Sequence, residues 1–95
     1  MEKRKAHYNL DQIKTMIKSG HYQITAEAKI NALQDFAYGE TEILDTVNGL
    51  KFSDLFKSMT THYDNKLWQD VYKKNGMYIK LQIIESAIII QFKRE

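Results

Sequence analysis

The stretch Leu67-Trp68-Gln69-Asp70-Val71-Tyr72-Lys73-Lys74-Asn75-Gly76-Met77-Tyr78-Ile79-Lys80-Leu81-Gln82-Ile83-Ile84, continued by Glu85-Ser86-Ala87-Ile88-Ile89-Ile90-Gln91-Phe92-Lys93-Arg94, alternates apolar and polar side chains and is punctuated by two turn-forming pairs. A period of two marks strands with one wet face, so this stretch predicts antiparallel strands over about Leu67 to Lys73, Met77 to Ile84 and Ala87 to Arg94. Asn75-Gly76 is the strongest turn signal in the chain, because a type I′ hairpin needs positive φ at both central residues and these two tolerate it. That turn sets Lys74 opposite Met77, Lys73 opposite Tyr78, Val71 opposite Lys80 and Gln69 opposite Gln82. A second turn at Glu85-Ser86 sets Ile83 against Ile88, Leu81 against Ile90 and Ile79 against Phe92. Opposed residues share a face. These pairs, with Trp68 and Tyr72, therefore form one apolar surface, and a slip of one residue would turn all of it to water. The other surface carries Gln69, Lys73, Tyr78, Lys80, Gln82, Gln91 and Lys93.

Before Leu50 the period is helical. Asn9 followed by Gln12 resembles a capping box, Leu10, Ile13 and Ile17 recur at helical spacing, and Gly20 ends the pattern, which predicts a helix over about Leu10 to Ser19. A second helix starts from an N-cap at Thr25, with Ala26, Ile30, Leu33 and Ala37 on its apolar face and Gly39 at its end. A third runs from Thr41 to Gly49, with Glu42 in the first turn, where the helix dipole favours an acid. Tyr22-Gln23-Ile24 reads as a turn or an edge strand, and a further strand is expected near Phe56 to His62. The expected fold is α+β: N-terminal helices packed on one face of a twisted antiparallel sheet. At 95 residues, the chain is expected to form a single domain, residues 1–95.

Composition narrows the function. The chain has no cysteine, which removes disulfides, thiolate zinc sites and cysteine nucleophiles and points to a cytoplasmic protein. No secretory signal follows the basic start, and the apolar tract near the end is too short to span a bilayer, so no membrane association is expected. Net charge is +2, but its distribution is uneven. Glu27, Asp35, Glu40, Glu42 and Asp45 face only Lys29 between Thr25 and Leu50, whereas bases exceed acids after Lys51. A polyanion would therefore meet the C-terminal half. The polar sheet surface, with lysines, a tyrosine and amides, suits phosphates by charge and a base by stacking. His7, His21 and His62 are too scattered for a metal site, and no glycine-rich phosphate loop is present. No metal or other cofactor is expected. RNA carries its own nucleophile, the 2′-hydroxyl, and needs only positioning, charge stabilisation and the handling of two protons.

Lys57-Ser58-Met59-Thr60-Thr61 followed by Leu67-Trp68-Gln69-Asp70-Val71-Tyr72, the opening Met1-Glu2-Lys3-Arg4, and the late Tyr78-Ile79-Lys80 and Phe92-Lys93 resemble the motility quorum-sensing regulator (MqsR) toxin family. The resemblance spans the chain and is densest from Ser53 to Tyr72. It implies a RelE-like fold and ribosome-independent cleavage of single-stranded mRNA at triplets containing guanine and cytosine, with growth arrest as the result. It also implies a cognate MqsA-like antitoxin with a zinc-binding toxin-facing domain and a helix-turn-helix domain, so that DNA is met only through the antitoxin. The family's catalytic positions fall on Lys57, Gln69 and Tyr78, with Lys93 in support; Lys73, Lys80 and Lys93 are the expected RNA-binding residues. The implied roles are charge stabilisation or deprotonation by Lys57, orientation by Gln69, and proton exchange by Tyr78.

Two other readings of the same residues stand beside this one: a non-catalytic RNA-binding module, and a protein-interaction domain docking through its acidic helical half or an open strand edge. Lys57 also poses a problem of register. A four-residue loop over Tyr63 to Lys66 would set Lys57 opposite Tyr72 on the buried face. An odd-length loop, a bulge, or a strand beginning after Lys57 is required to bring it to the polar side.

Overall fold

The computed structural model describes residues 1–95. Six strands and three helices follow the order β1 (Glu2–Lys3), α1 (Leu10–Lys18), β2 (Tyr22–Ile24), α2 (Ala26–Phe36), α3 (Glu40–Asn48), β3 (Leu55–Thr60), β4 (Trp68–Lys74), β5 (Met77–Ile84) and β6 (Ala87–Arg94), with a 3-10 turn at Phe52–Asp54 before β3. They form one sheet in the order β1-β3-β4-β5-β6-β2. All neighbours are antiparallel except β2 and β6, so the sheet is mixed rather than purely antiparallel.

The two hairpins have the expected registers. Asn75 and Gly76 take φ of 52° and 82°, and Lys74 pairs with Met77, Lys73 with Tyr78 and Val71 with Lys80. Glu85 also enters the left-handed region, at φ 56°, which closes the second turn and pairs Ile83 with Ile88 and Leu81 with Ile90. Tyr72, Ile79, Leu81, Ile88, Ile90 and Phe92 are buried together with Leu10, Ile13 and Ile17 of α1 and Ile43, Val47 and Leu50 around α3. This apolar layer gathers the helices on one side and leaves the other side of the sheet open.

The helix caps follow the chemistry of their residues. Asn9 Oδ1 accepts from Gln12 N at 3.0 Å, Thr25 Oγ1 accepts from Ala28 N at 3.1 Å, and Glu42 reaches back to Gly39 N at 2.7 Å. The first helix ends at Lys18 with Ser19 as its C-cap, and the third starts one residue earlier than expected, at Glu40.

The apolar face assigned to α2 requires correction. Ala28 and Ala32 are buried, while Ile30 and Leu33 are 55% and 64% exposed. The helix ends at Phe36 with Ala37, not Gly39, in the left-handed conformation. The reason is where α2 lies. It follows β2 directly and packs along β6 beyond the short β2 pairing, where small alanines permit close approach to a strand edge. Asn31 Nδ2 donates to Phe92 O at 3.1 Å, covering backbone that would otherwise be an open edge.

The link before α1 is fixed from the sheet. Asp70, fully buried on the helix side of β4, accepts from His7 N at 3.0 Å, from Tyr8 N at 2.9 Å and from Ser58 Oγ at 2.6 Å. Trp68 on the same side is covered by the His7 ring, stacked at 5.2 Å, and by Lys3 Nζ at 4.2 Å from its centroid. No helix is long and apolar enough to cross a membrane.

Candidate functional site

Lys57 reaches the open face through one of the irregularities that its placement required, the odd-length loop. The β3–β4 connection, residues 61–67, has an odd length, so Thr60 pairs with Trp68, Met59 with Gln69 and Lys57 with Val71. A β-bulge then separates Lys57 from Leu55, which returns to the helix side opposite Tyr72. The extra residue is Phe56. Its backbone carbonyl accepts from Arg4 Nη1 at 3.1 Å, so the carbonyl left out of the ladder is satisfied by a side chain. Its ring lies on the open face, 6.2 Å from the Tyr78 ring, under Lys73 Nζ at 3.8 Å.

Val71 thus stands in a row with Lys57, Lys80 and Gln91 across four strands. One row away Lys73, Tyr78 and Lys93 are paired, and Lys93 Nζ sits 5.4 Å from the Tyr78 ring centroid. Gln69 Nε2 donates across β5 to Gln91 Oε1 at 3.3 Å. All six residues singled out from the sequence, Lys57, Gln69, Lys73, Tyr78, Lys80 and Lys93, share this face.

They do not form a single pocket. Tyr78 and Lys93 line a cleft of about 200 Å³ against the first turns of α2. Gln69 lines a larger depression of about 730 Å³ that extends to Glu2, Met59 and the 61–67 connection. Lys80 and Gln91 border both. The result is a groove across the strands, with Lys80 at its centre.

The cations differ in their partners. Lys57 is ion-paired with Glu2 of β1, and its side chain is 23% exposed; Lys57 in turn holds the Glu2 carboxyl below its usual range, by hydrogen bond and by charge. Lys73 pairs with Glu95 at 3.3 Å. Burial pushes the Lys80 ammonium below the usual lysine range, and the charges of Lys93 and Lys57 add to that effect. A phosphate arriving there would offset the repulsion among these ammonium groups.

Five residues that the sequence reading gave no role in this surface belong to it: Glu2, Arg4, Glu27, Asn31 and Phe56. Glu2 lies on a two-residue strand too short to register as a period, Arg4 directly follows that strand, and Phe56 depends on the bulge. Glu27 and Asn31 arrive only because α2 turns along the sheet edge.

A sequence model of the family described as "Motility quorum-sensing regulator, toxin of MqsA" matches residues 5–94. The chain is 34% identical over 99 aligned residues, covering all of both chains, to a protein of Escherichia coli (strain K12) named "mRNA interferase toxin MqsR".

Proposed function

The chain belongs to the MqsR toxin family, with its RelE-like fold, and from that premise we propose that it is the toxin of a type II toxin–antitoxin system that cuts single-stranded mRNA. Cleavage needs neither ribosome nor metal ion, falls at triplets containing guanine and cytosine, and arrests growth. An MqsA-like antitoxin is the cognate partner, and DNA is reached only through it.

The observation that carries this reading is the register that sets Lys57, Gln69, Tyr78, Lys80 and Lys93 on one open surface. The 2′-oxygen of a bound ribose attacks the adjacent phosphorus, its proton leaves, and the bond to the 5′-oxygen breaks as that oxygen gains a proton. Lys57 and Lys80 stabilise the extra negative charge of the five-coordinate phosphorus. Tyr78, flanked by Lys93, exchanges a proton with one of the two oxygens. Gln69, held by Gln91, orients the substrate. Glu2 must release Lys57 as the phosphate arrives, because one ammonium cannot serve both anions at full strength.

The Lys57–Glu2 pair also favours a second reading, in which the face is only a platform for RNA, since it partly neutralises a cation assigned to the reaction. Incubating purified protein with single-stranded RNA and EDTA, without ribosomes, separates the two. The nuclease cleaves under these conditions, and Tyr78→Phe lowers its rate by about 10²-fold, the smaller end of what a positioned acid or base supplies. Lys57→Ala and Gln69→Ala also slow it. Near-normal rates in all three variants would remove the mechanism, and intact RNA with wild-type protein would leave the platform.

A further inference from the structure

The cleft beside α2 has two unlike walls. The sheet wall bears Tyr78, Lys80 and Lys93, and the helix wall bears Thr25, Glu27 and Asn31. We propose that this cleft is a nucleobase pocket that seats a guanine, with Glu27 as its specificity-determining residue. The inference rests on the ribonuclease reading and adds which base is held beside the cut, and by what.

The orientation of Asn31 is fixed chemically. Its partner is a backbone carbonyl, Phe92 O, which can only accept, so the amide nitrogen must face the strand and Oδ1 is left as an acceptor. The Thr25 hydroxyl already accepts from Ala28 N. Glu27 is exposed and takes part in none of the chain's three ion pairs, even though Lys80 lies close enough to feel its charge. The helix wall therefore offers two carboxylate oxygens and an amide oxygen as acceptors, with the Thr25 hydroxyl proton as its one side-chain donor. The opposite wall offers ammonium groups and a ring.

A ligand that satisfies both walls brings N–H donors on one side and negative charge on the other, which is the polarity of a nucleotide. Among the four RNA bases only guanine places two adjacent N–H donors, at N1 and the 2-amino group, on one edge, matching both oxygens of a carboxylate. Adenine and cytosine set a ring acceptor beside their amino group, and uracil has one N–H between two carbonyls. The Tyr78 ring supplies a stacking surface at the same place. An acid in the first turn of a helix also favours that helix through its dipole, but such a role would not discriminate between bases.

The test uses single-stranded RNA oligonucleotides in which each guanine in turn is replaced by inosine, which lacks only the 2-amino group. For the wild type, one position is expected to lose about ten-fold in kcat/KM on this replacement. For Glu27→Ala, the guanine and inosine oligonucleotides should be cut at equal rates. In parallel, guanosine and inosine 5′-monophosphate are titrated into the protein while the backbone amide signals of Asn31 and Lys80 are followed by NMR. Cleavage with an unchanged guanine preference in Glu27→Ala overturns the pocket and leaves the nuclease reading standing. Absence of cleavage, with guanosine monophosphate shifting those signals in the wild type but not in Glu27→Ala, overturns the nuclease reading and supports the pocket. Absence of both overturns both.

Discussion

Lys80 is the residue on which the open face turns, because it borders both depressions and its ammonium is made less comfortable by burial and by Lys93 and Lys57. A bound phosphate favours the charged amine. RNA affinity should therefore be full below the lowered Lys80 pKa and weaken as pH rises through it, at lower pH than for an ordinary exposed lysine. Lys80→Arg, which keeps its charge throughout, should remove this alkaline loss; fluorescence anisotropy of labelled RNA against pH measures both. Tyr72 offers the opposite case on the other face. Its hydroxyl is buried without a hydrogen-bond partner, and burial, aided by Asp70 and Asp54, pushes its phenol from 10.0 up to about 12. The folded state thus favours the neutral phenol. Its contribution to stability is complete below pH 10 and is lost between 10 and about 12, where only the unfolded phenol ionises. Tyr72→Phe should raise stability by about 1 kcal/mol, since an unsatisfied hydroxyl is removed. It should also delay alkaline unfolding, as followed by circular dichroism.

At the scale of elements, Asp70 joins three of them: β4, β3 through Ser58, and the link into α1 through His7 and Tyr8. Asp70→Ala leaves two backbone N–H groups without their acceptor and should cost about 3 kcal/mol in urea unfolding. Hydrogen exchange should show residues 4–8 losing protection first. The hairpins were legible because Asn75-Gly76 admits one turn and the isoleucines admit one side. The placement of α2 was not, because Ile30 and Leu33 outweigh Ala28 and Ala32 in any hydrophobic period, while close approach to a strand edge selects the small residues. Lys57 lay between these cases. The need for an odd loop or a bulge followed from counting, but nothing in residues 61–67 names its length as a turn, and only the structure shows that the loop is the device, with the bulge lying beyond Lys57. The four site lysines, the glutamine and the tyrosine were found by alternation and family resemblance together; Glu27 and Asn31 belong to a wall that neither could supply.

For the molecule as a whole, charge is distributed by surface more than by sequence. Lys80 and Lys93 face the groove without an ion pair, whereas Lys57 and Lys73 hold Glu2 and Glu95. Each phosphate neutralised on a single strand contributes a slope of about −0.7 to log affinity against log salt. Lys80→Gln should flatten that plot by about 0.7, and Glu95→Gln, which frees Lys73, should steepen it. The sheet also separates duties between its sides: packing against the helices on one, contact with solvent on the other. A genetic selection for colonies that survive expression of this toxin should accordingly return two classes of survivor, alternating along each strand. Changes at Gln69, Tyr78, Lys80 and Lys93 will accumulate as intact inert protein, and those at Asp70, Ile79, Leu81 and Ile90 will vanish to proteolysis.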